Sequence, residues 1–316
     1  MKFSIKKKAL SAWKITAATF NGFLDDRGLK FSASLAYYTV FSLAPLMMLL
    51  VFVLSLYFGK DAFEGKIYPE LKGLVGPDAA AQIQSLVKSV QIGKSIFAII
   101  VGVITLVIGA TGIFMEIQDS LNIIWRVKAK PKRGWLKLIT NRLLSFSLVI
   151  ALGFLLTVSL IVNGLLAALS DRLSHYVSHF EFVFNLIDIG VTFLVIATLF
   201  GIIFKYLPDV KIRWRDVRTG AIFTAILFML GKYLIGIYIG TMKINSTYGA
   251  AGSIIIIFVW IYYTSALLYL GAEFTQVYAE FSGCKIEPAE YAVAVEQKEI
   301  ERDVAVLPPQ NPDLKS

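Results

Sequence analysis

An all-α integral membrane protein with six transmembrane helices is the fold class that three observations predict. The 316-residue chain is 57% hydrophobic and only 17% charged, with a mean hydropathy of +0.69, well above that of ordinary soluble domains. Its apolar residues gather in long runs, four of them uncharged for 20 residues or more: 31–59, 95–115, 143–170 and 244–272. Basic residues crowd into alternate connections between those runs, the mark of a polytopic helical protein. Continuous apolar runs exclude a membrane β-barrel, whose strands alternate lipid-facing and lumen-facing residues.

The elements follow in chain order. Residues 1–30 form an N-terminal segment in which Leu10, Trp13, Ala17, Phe20 and Leu24 recur at helical spacing while Lys6, Lys7, Lys8 and Lys14 lie elsewhere on the wheel. This predicts an amphipathic helix lying in the membrane interface. The first long apolar run starts beyond residue 30 and exceeds a signal-peptide core, so it is expected to remain as an anchor. A span needs roughly 20 apolar residues at about 1.5 Å each. On that measure the spans of a 31–280 transmembrane domain are 31–58, 95–115, 143–169, 186–206, 219–241 and 252–278. Between the first two, Pro77 opens a short extramembrane helix with Ile83, Leu86, Val87 and Val90 on one face. The 281–316 segment, acidic and interrupted by LPPQNP, is expected to be a flexible tail.

The net charge of +9 is open to three meanings: nucleic acid, anionic lipid or membrane topology. With six spans, the N-terminal segment, the second and fourth connections and the tail hold 23 Lys and Arg, against seven in the other three connections; Lys232, inside the fifth span, completes the 31. The positive-inside rule then puts both termini in the cytoplasm of an inner-membrane protein. Trp13, Trp125, Trp135 and Trp214 fall in or beside the same inner segments, where indoles favour the headgroup layer. The expected partners of this face are membrane lipids with anionic headgroups, not nucleic acid. Nuclease chemistry needs clustered carboxylates, histidines or an acid–base pair, and the inner loops carry only the scattered acids Glu116, Asp119, Asp209 and Asp216. One cysteine, Cys284, leaves no disulfide framework. His175 and His179 lie four apart in an outer loop, and two ligands do not make a metal site. No metal, cofactor or catalytic residue is expected.

Four stretches carry a family resemblance. DDRGLKFSASLAYYTVFSLAPLMMLL, EIQDSLNIIWRV, KYLPDVKIRWRDVRTGAIFTA and STYGAAGSIIIIFVWIYYTSALLYLGAEFTQVYA, in that order, resemble the YihY/BrkB family of bacterial inner-membrane proteins over about Trp13 to Gly283. The resemblance implies a six-helix inner-membrane protein. The family carries an old ribonuclease BN label and a virulence-factor label, neither with a catalytic set to transfer.

Candidate functional residues are polar groups inside the spans. Ser34, Tyr38 and Ser42 repeat every fourth residue in the first span, just before the kink expected at Pro45. They read either as a cavity lining or as helix packing with hydroxyls bonded to backbone one turn back. Tyr269, Glu273 and Gln276, with Tyr262, share one face of the last span. Glu273 reads as a proton or cation coupling site, or as an interfacial partner of a base such as Arg126. Lys232 lies about 20 Å from the inner end of its helix, at a depth costing roughly 2.5–3.5 kcal/mol. It either marks a pathway or snorkels outward toward Asp188. Gly236 and Gly240 form a GxxxG pair suited to close helix contact, and homo-oligomer formation stays open. Polar stripes, a proline hinge, an intramembrane lysine and little extramembrane mass lead to the expectation of a non-enzymatic permease or translocase of lipids or other amphiphiles. The alternatives are an envelope-organising or virulence-associated interaction protein and, more remotely, a ribonuclease acting on tRNA.

Overall fold

A computed structural model describes residues 2–42, 96–130, 180–241 and 250–296. Helix α1 spans Lys2–Asp25, and the chain is helical again over 28–42 (α2). Then follow α3 (Ile96–Ile124), β1 (Val127–Ala129), α4 (Phe180–Tyr206), β2 (Val210–Lys211), α5 (Trp214–Thr241), α6 (Ala250–Phe281), β3 (Glu287–Pro288) and β4 (Ala292–Ala294). Three described helices are long and apolar enough to cross a membrane: Leu186–Tyr206, Trp214–Ile235 and Ile257–Phe281. They correspond to the last three spans read from the sequence. The span expected at 143–169, the helix at 77–91, both histidines and Pro45 lie outside the described residues.

Helix α6 is the hub, packing against α1, α3, α4 and α5. The α5–α6 contact is built from two glycine–threonine pairs in opposite order. Thr224 Oγ1 donates to the Gly220 carbonyl (2.8 Å) and Thr275 Oγ1 to the Gly271 carbonyl (2.6 Å). Each hydroxyl also occupies the space where a side chain would start on the glycine across the interface, Thr275 over Gly220 and Thr224 over Gly271. Further along, Tyr263 lies over Gly231 in the same way and reaches the Leu227 carbonyl at 3.4 Å. Bare glycine backbone and self-bonded hydroxyls let two membrane helices approach where water supplies no hydrophobic drive.

Helix α3 runs nine residues past the expected end of its span. Ile117, Leu121 and Ile124, one or two turns apart, are buried on one face, which holds this extension against the bundle. Arg126 ends it with φ 54°. Helix α6 ends at Gly283 with φ 71°, the Cys284 and Gly283 amides donating to the Ala279 and Glu280 carbonyls, both at 2.9 Å. This is the Schellman arrangement.

Two elements carry contacts that their local sequence does not announce. The described part of the tail pairs back onto the chain, β4 antiparallel with β1 (Val127 opposite Ala294) and β3 with β2 (Val210 opposite Pro288). Its acidic composition suggested solvated coil, but Ile286 packs on the core and the Ala289 and Val295 amides donate to the Asp209 and Arg126 carbonyls. Backbone pairing with the segments that follow α3 and α4 outweighs the local composition. In α1, the predicted apolar stripe turns away from the protein: Trp13 is 70%, Phe20 56% and Leu24 48% exposed, while Thr19, Phe23 and Asp26, about a third of a turn round, are buried. The helix thus has a protein-facing side as well as an outward apolar side.

Candidate functional site

Glu273 lies where α6 meets α1, the α1–α2 turn and the end of α3, and it is only 3% exposed. Gly22 makes room for it. A methyl group added to Gly22 would lie 2.8 Å from Glu273 Oε2, so the carboxyl rests on bare α1 backbone. One turn on, Asp26 is also buried and comes within hydrogen-bonding reach of Glu273. Arg126 Nη2 meets Asp26 Oδ1 at 2.7 Å, the two side chains being 45% and 5% exposed. Two carboxyls therefore share one guanidinium, with Asp25 adding negative potential from the same helix.

The surroundings leave polar atoms unsatisfied. Among the described residues, Glu273 Oε1, Tyr269 Oη and Trp125 Nε1 are buried without a hydrogen-bond partner. Tyr269 precedes Glu273 by one turn on the same face of α6. Its ring meets Phe31 edge-on at 5.9 Å, and its hydroxyl faces Ser120 without a well-formed hydrogen bond. Buried polar groups are otherwise nearly always partnered, so this concentration distinguishes the site from the helix contacts around it. Both described non-glycine residues with positive φ flank it, Arg27 at 59° and Arg126 at 54°. Each sits in the left-handed region, at a cost of about 1–2 kcal/mol, which the surrounding packing sustains.

Two neighbouring ties hold the same end together. Asp209 accepts from Asn122 Nδ2 (3.0 Å) and Gln118 Nε2 (3.2 Å), and its amide donates to Asn122 Oδ1 (2.8 Å). The Tyr291 hydroxyl also donates to it; burial and this bond push the phenol up to about 12. Asp216 accepts from Arg213 Nε (3.1 Å) and Ser282 Oγ (3.2 Å). These bonds clamp α3, the α4–α5 connection and the residues after α6.

Of the residues singled out from the sequence, the structure brings Tyr269 and Glu273 together at this site. Gln276 turns along its own helix, donating to Glu280 Oε1 at 2.5 Å. Ser42 is buried, bonds to the Tyr38 carbonyl at 2.8 Å and lies over Gly109; Tyr38 packs over Gly112. Both therefore lie where α2 packs on α3, and Ser34 is half-buried on the same helix. Lys232 is half-buried on α5. With Gly231 facing Tyr263, it stands about 16 Å along α6 from Glu273. Asp26 and Gly22 carry no signal of a site in the sequence, and Trp125 reads there only as an interfacial indole. Asp26 and Trp125 lie within motifs that carry the family resemblance, but nothing in their local spacing pairs them with residues near the other end of the chain.

Comparison with known proteins gives the chain its place. Residues 19–292 match the family described as Virulence factor BrkB. A UPF0761 membrane protein of Xanthomonas oryzae pv. oryzae is 31% identical over 279 residues, covering 82% of this chain and 59% of the relative. Another from Verminephrobacter eiseniae is 30% identical, covering 83% and 62%, and one from Stenotrophomonas maltophilia is 28% identical, covering 82% and 59%. The chain spans about three-fifths of the length of these curated relatives. No solved structure matches. Apolar helices long enough to cross a bilayer, joined to a family match over most of its length, make this chain a bacterial membrane protein of the BrkB family.

Proposed function

We propose that the protein is a non-enzymatic permease or translocase of lipids or other amphiphiles in the bacterial inner membrane, with both termini cytoplasmic. The observation that carries this reading is the pair of buried carboxyls, Asp26 and Glu273, gathered on the half-exposed Arg126. A membrane bundle that served only as a scaffold gains nothing from seating two carboxyls on bare backbone, because apolar residues of similar volume are as stable or more so. Ionisable groups in membrane helices mark pathways by default. The outward face of α1, with Trp13, Phe20 and Leu24, and the exposed Trp214 beside Tyr206 near Arg213, Arg215 and Arg218 suit contact with anionic headgroups.

The test is transbilayer movement of fluorescent phospholipids in proteoliposomes, read by an impermeant bleaching agent, with zwitterionic, anionic and neutral headgroups compared. The protein is expected to speed movement of at least one class, with Glu273→Gln and Lys232→Met slowing it several-fold when correctly inserted. If no lipid or amphiphile class moves faster than in protein-free vesicles, the reading fails.

A further inference from the structure

Asp26 and Glu273 are ionisable groups of the same sign in contact, and an ionised carboxylate only accepts hydrogen bonds. Like charges this close do not both persist without compensation. Arg126 compensates one, through its 2.7 Å contact with Asp26. Among the described residues, the charged groups on the packed elements do not offer a second base. Helix α1 brings Asp25, which worsens the imbalance. Helix α3 brings Glu116, which faces Tyr269. The α1–α2 connection brings Arg27 and Lys30, both directed to the surface. Helix α5 meets α6 here through Gly220 and Thr224, with Asp216 held by Arg213 and Ser282 and Arg218 exposed. Helix α4 brings Lys205, which bonds to the Ile212 carbonyl; its Glu181 and Asp188 lie in its opposite half. A bulky counter-ion does not fit either, because the Glu273 carboxyl already lies against the Gly22 backbone.

We propose that Asp26 and Glu273 form a proton-binding pair, a single proton lying between the two carboxyls while Arg126 balances the remaining charge. Glu273 Oε1, buried without a donor, is where such a proton is needed. Departure of the proton leaves two negative charges against one guanidinium and drives α1 away from α6. Arg27 and Arg126, both held at positive φ beside the pair, are the hinges that such a movement relaxes. The proton site stands on this geometry; its use to gate lipid movement rests on the permease reading above.

Infrared difference spectroscopy of the full chain in lipid nanodiscs tests it, since a protonated carboxyl absorbs apart from a carboxylate and shifts in heavy water. The wild type is expected to show a protonated-carboxyl band that persists above the pH range in which exposed carboxyls titrate and is lost as pH is raised further. Glu273→Gln and Asp26→Asn are each expected to abolish it, because Arg126 then balances the single carboxylate left. Arg126→Gln is expected to keep the band and carry it to more alkaline pH. Should one variant fail to fold, the other two still decide. Absence of the band from folded wild type above the range in which exposed carboxyls titrate, or its survival there in either neutral variant, overturns the proposal. Neither result touches the vesicle assay, and inactive vesicles leave the band unaffected, so the two failures are distinguishable.

Discussion

Asp26 owes its burial to Arg126, and the two are unequally placed: the carboxylate is almost fully enclosed while the guanidinium is half exposed. Removing the base leaves the acid enclosed without its charge partner, the costly way to break such a pair. Arg126→Gln is therefore expected to destabilise the protein by about 1–3 kcal/mol, measured as a lower thermal midpoint in detergent. Tyr291 offers a second residue-scale test. Its phenol is pushed up to about 12 from the usual tyrosine range by partial burial and by donation to Asp209. The folded state thus holds that proton more tightly than the unfolded chain. The stability it adds is complete below about pH 10 and lost as pH rises toward about 12. Tyr291→Phe should lower the thermal midpoint at neutral pH and flatten its decline across that alkaline window.

At the scale of elements, α5 and α6 are joined by Gly220 with Thr275 and Gly271 with Thr224. A β-carbon at either glycine collides with a threonine whose own position is fixed by a backbone hydrogen bond. Gly220→Val or Gly271→Val is expected to cost about 1–3 kcal/mol through overpacking. The same substitution at Gly190, where nothing lies within 4 Å, should leave helix packing intact; thermal unfolding monitored by circular dichroism compares them. This interlock was not legible in the chain, where the small-residue motif that draws the eye is Gly236 and Gly240. A glycine and a threonine four apart are commonplace on any helix, and only the antiparallel contact makes them complementary. The outward stripe of α1 was legible, because Trp13, Phe20 and Leu24 fall on one face by helical geometry alone. Its second face, Thr19, Phe23 and Asp26, was not, since those residues are mixed in polarity and gain meaning only from α6.

For the whole molecule, Cys284 provides a test of orientation, being the one cysteine in the chain and partly accessible just after α6. If both termini are cytoplasmic, a membrane-impermeant thiol reagent should label it in inverted vesicles and not in intact spheroplasts, with Cys284→Ser as the blank. Labelling from outside would reverse the proposed orientation. The cysteine borders the tail residues that fold back onto β1 and β2. Their composition is that of a solvated segment, but their backbone amides and carbonyls are satisfied by two connections far away in the chain.

The sequence by itself determined the solvent this protein lives in and where its last three apolar helices run. Both are properties of contiguous stretches: hydropathy adds residue by residue, and a span is a length of chain. It also determined the family, because four motifs in order survive as local text. The tertiary structure alone decided which charges meet. Glu273 was visible as an ionisable residue near a helix end, with Arg126 as one candidate base, but its direct neighbours, Gly22 and Asp26, come from the opposite end of the chain. Pairing of buried charge depends on distances between helices, which no spacing along one helix encodes.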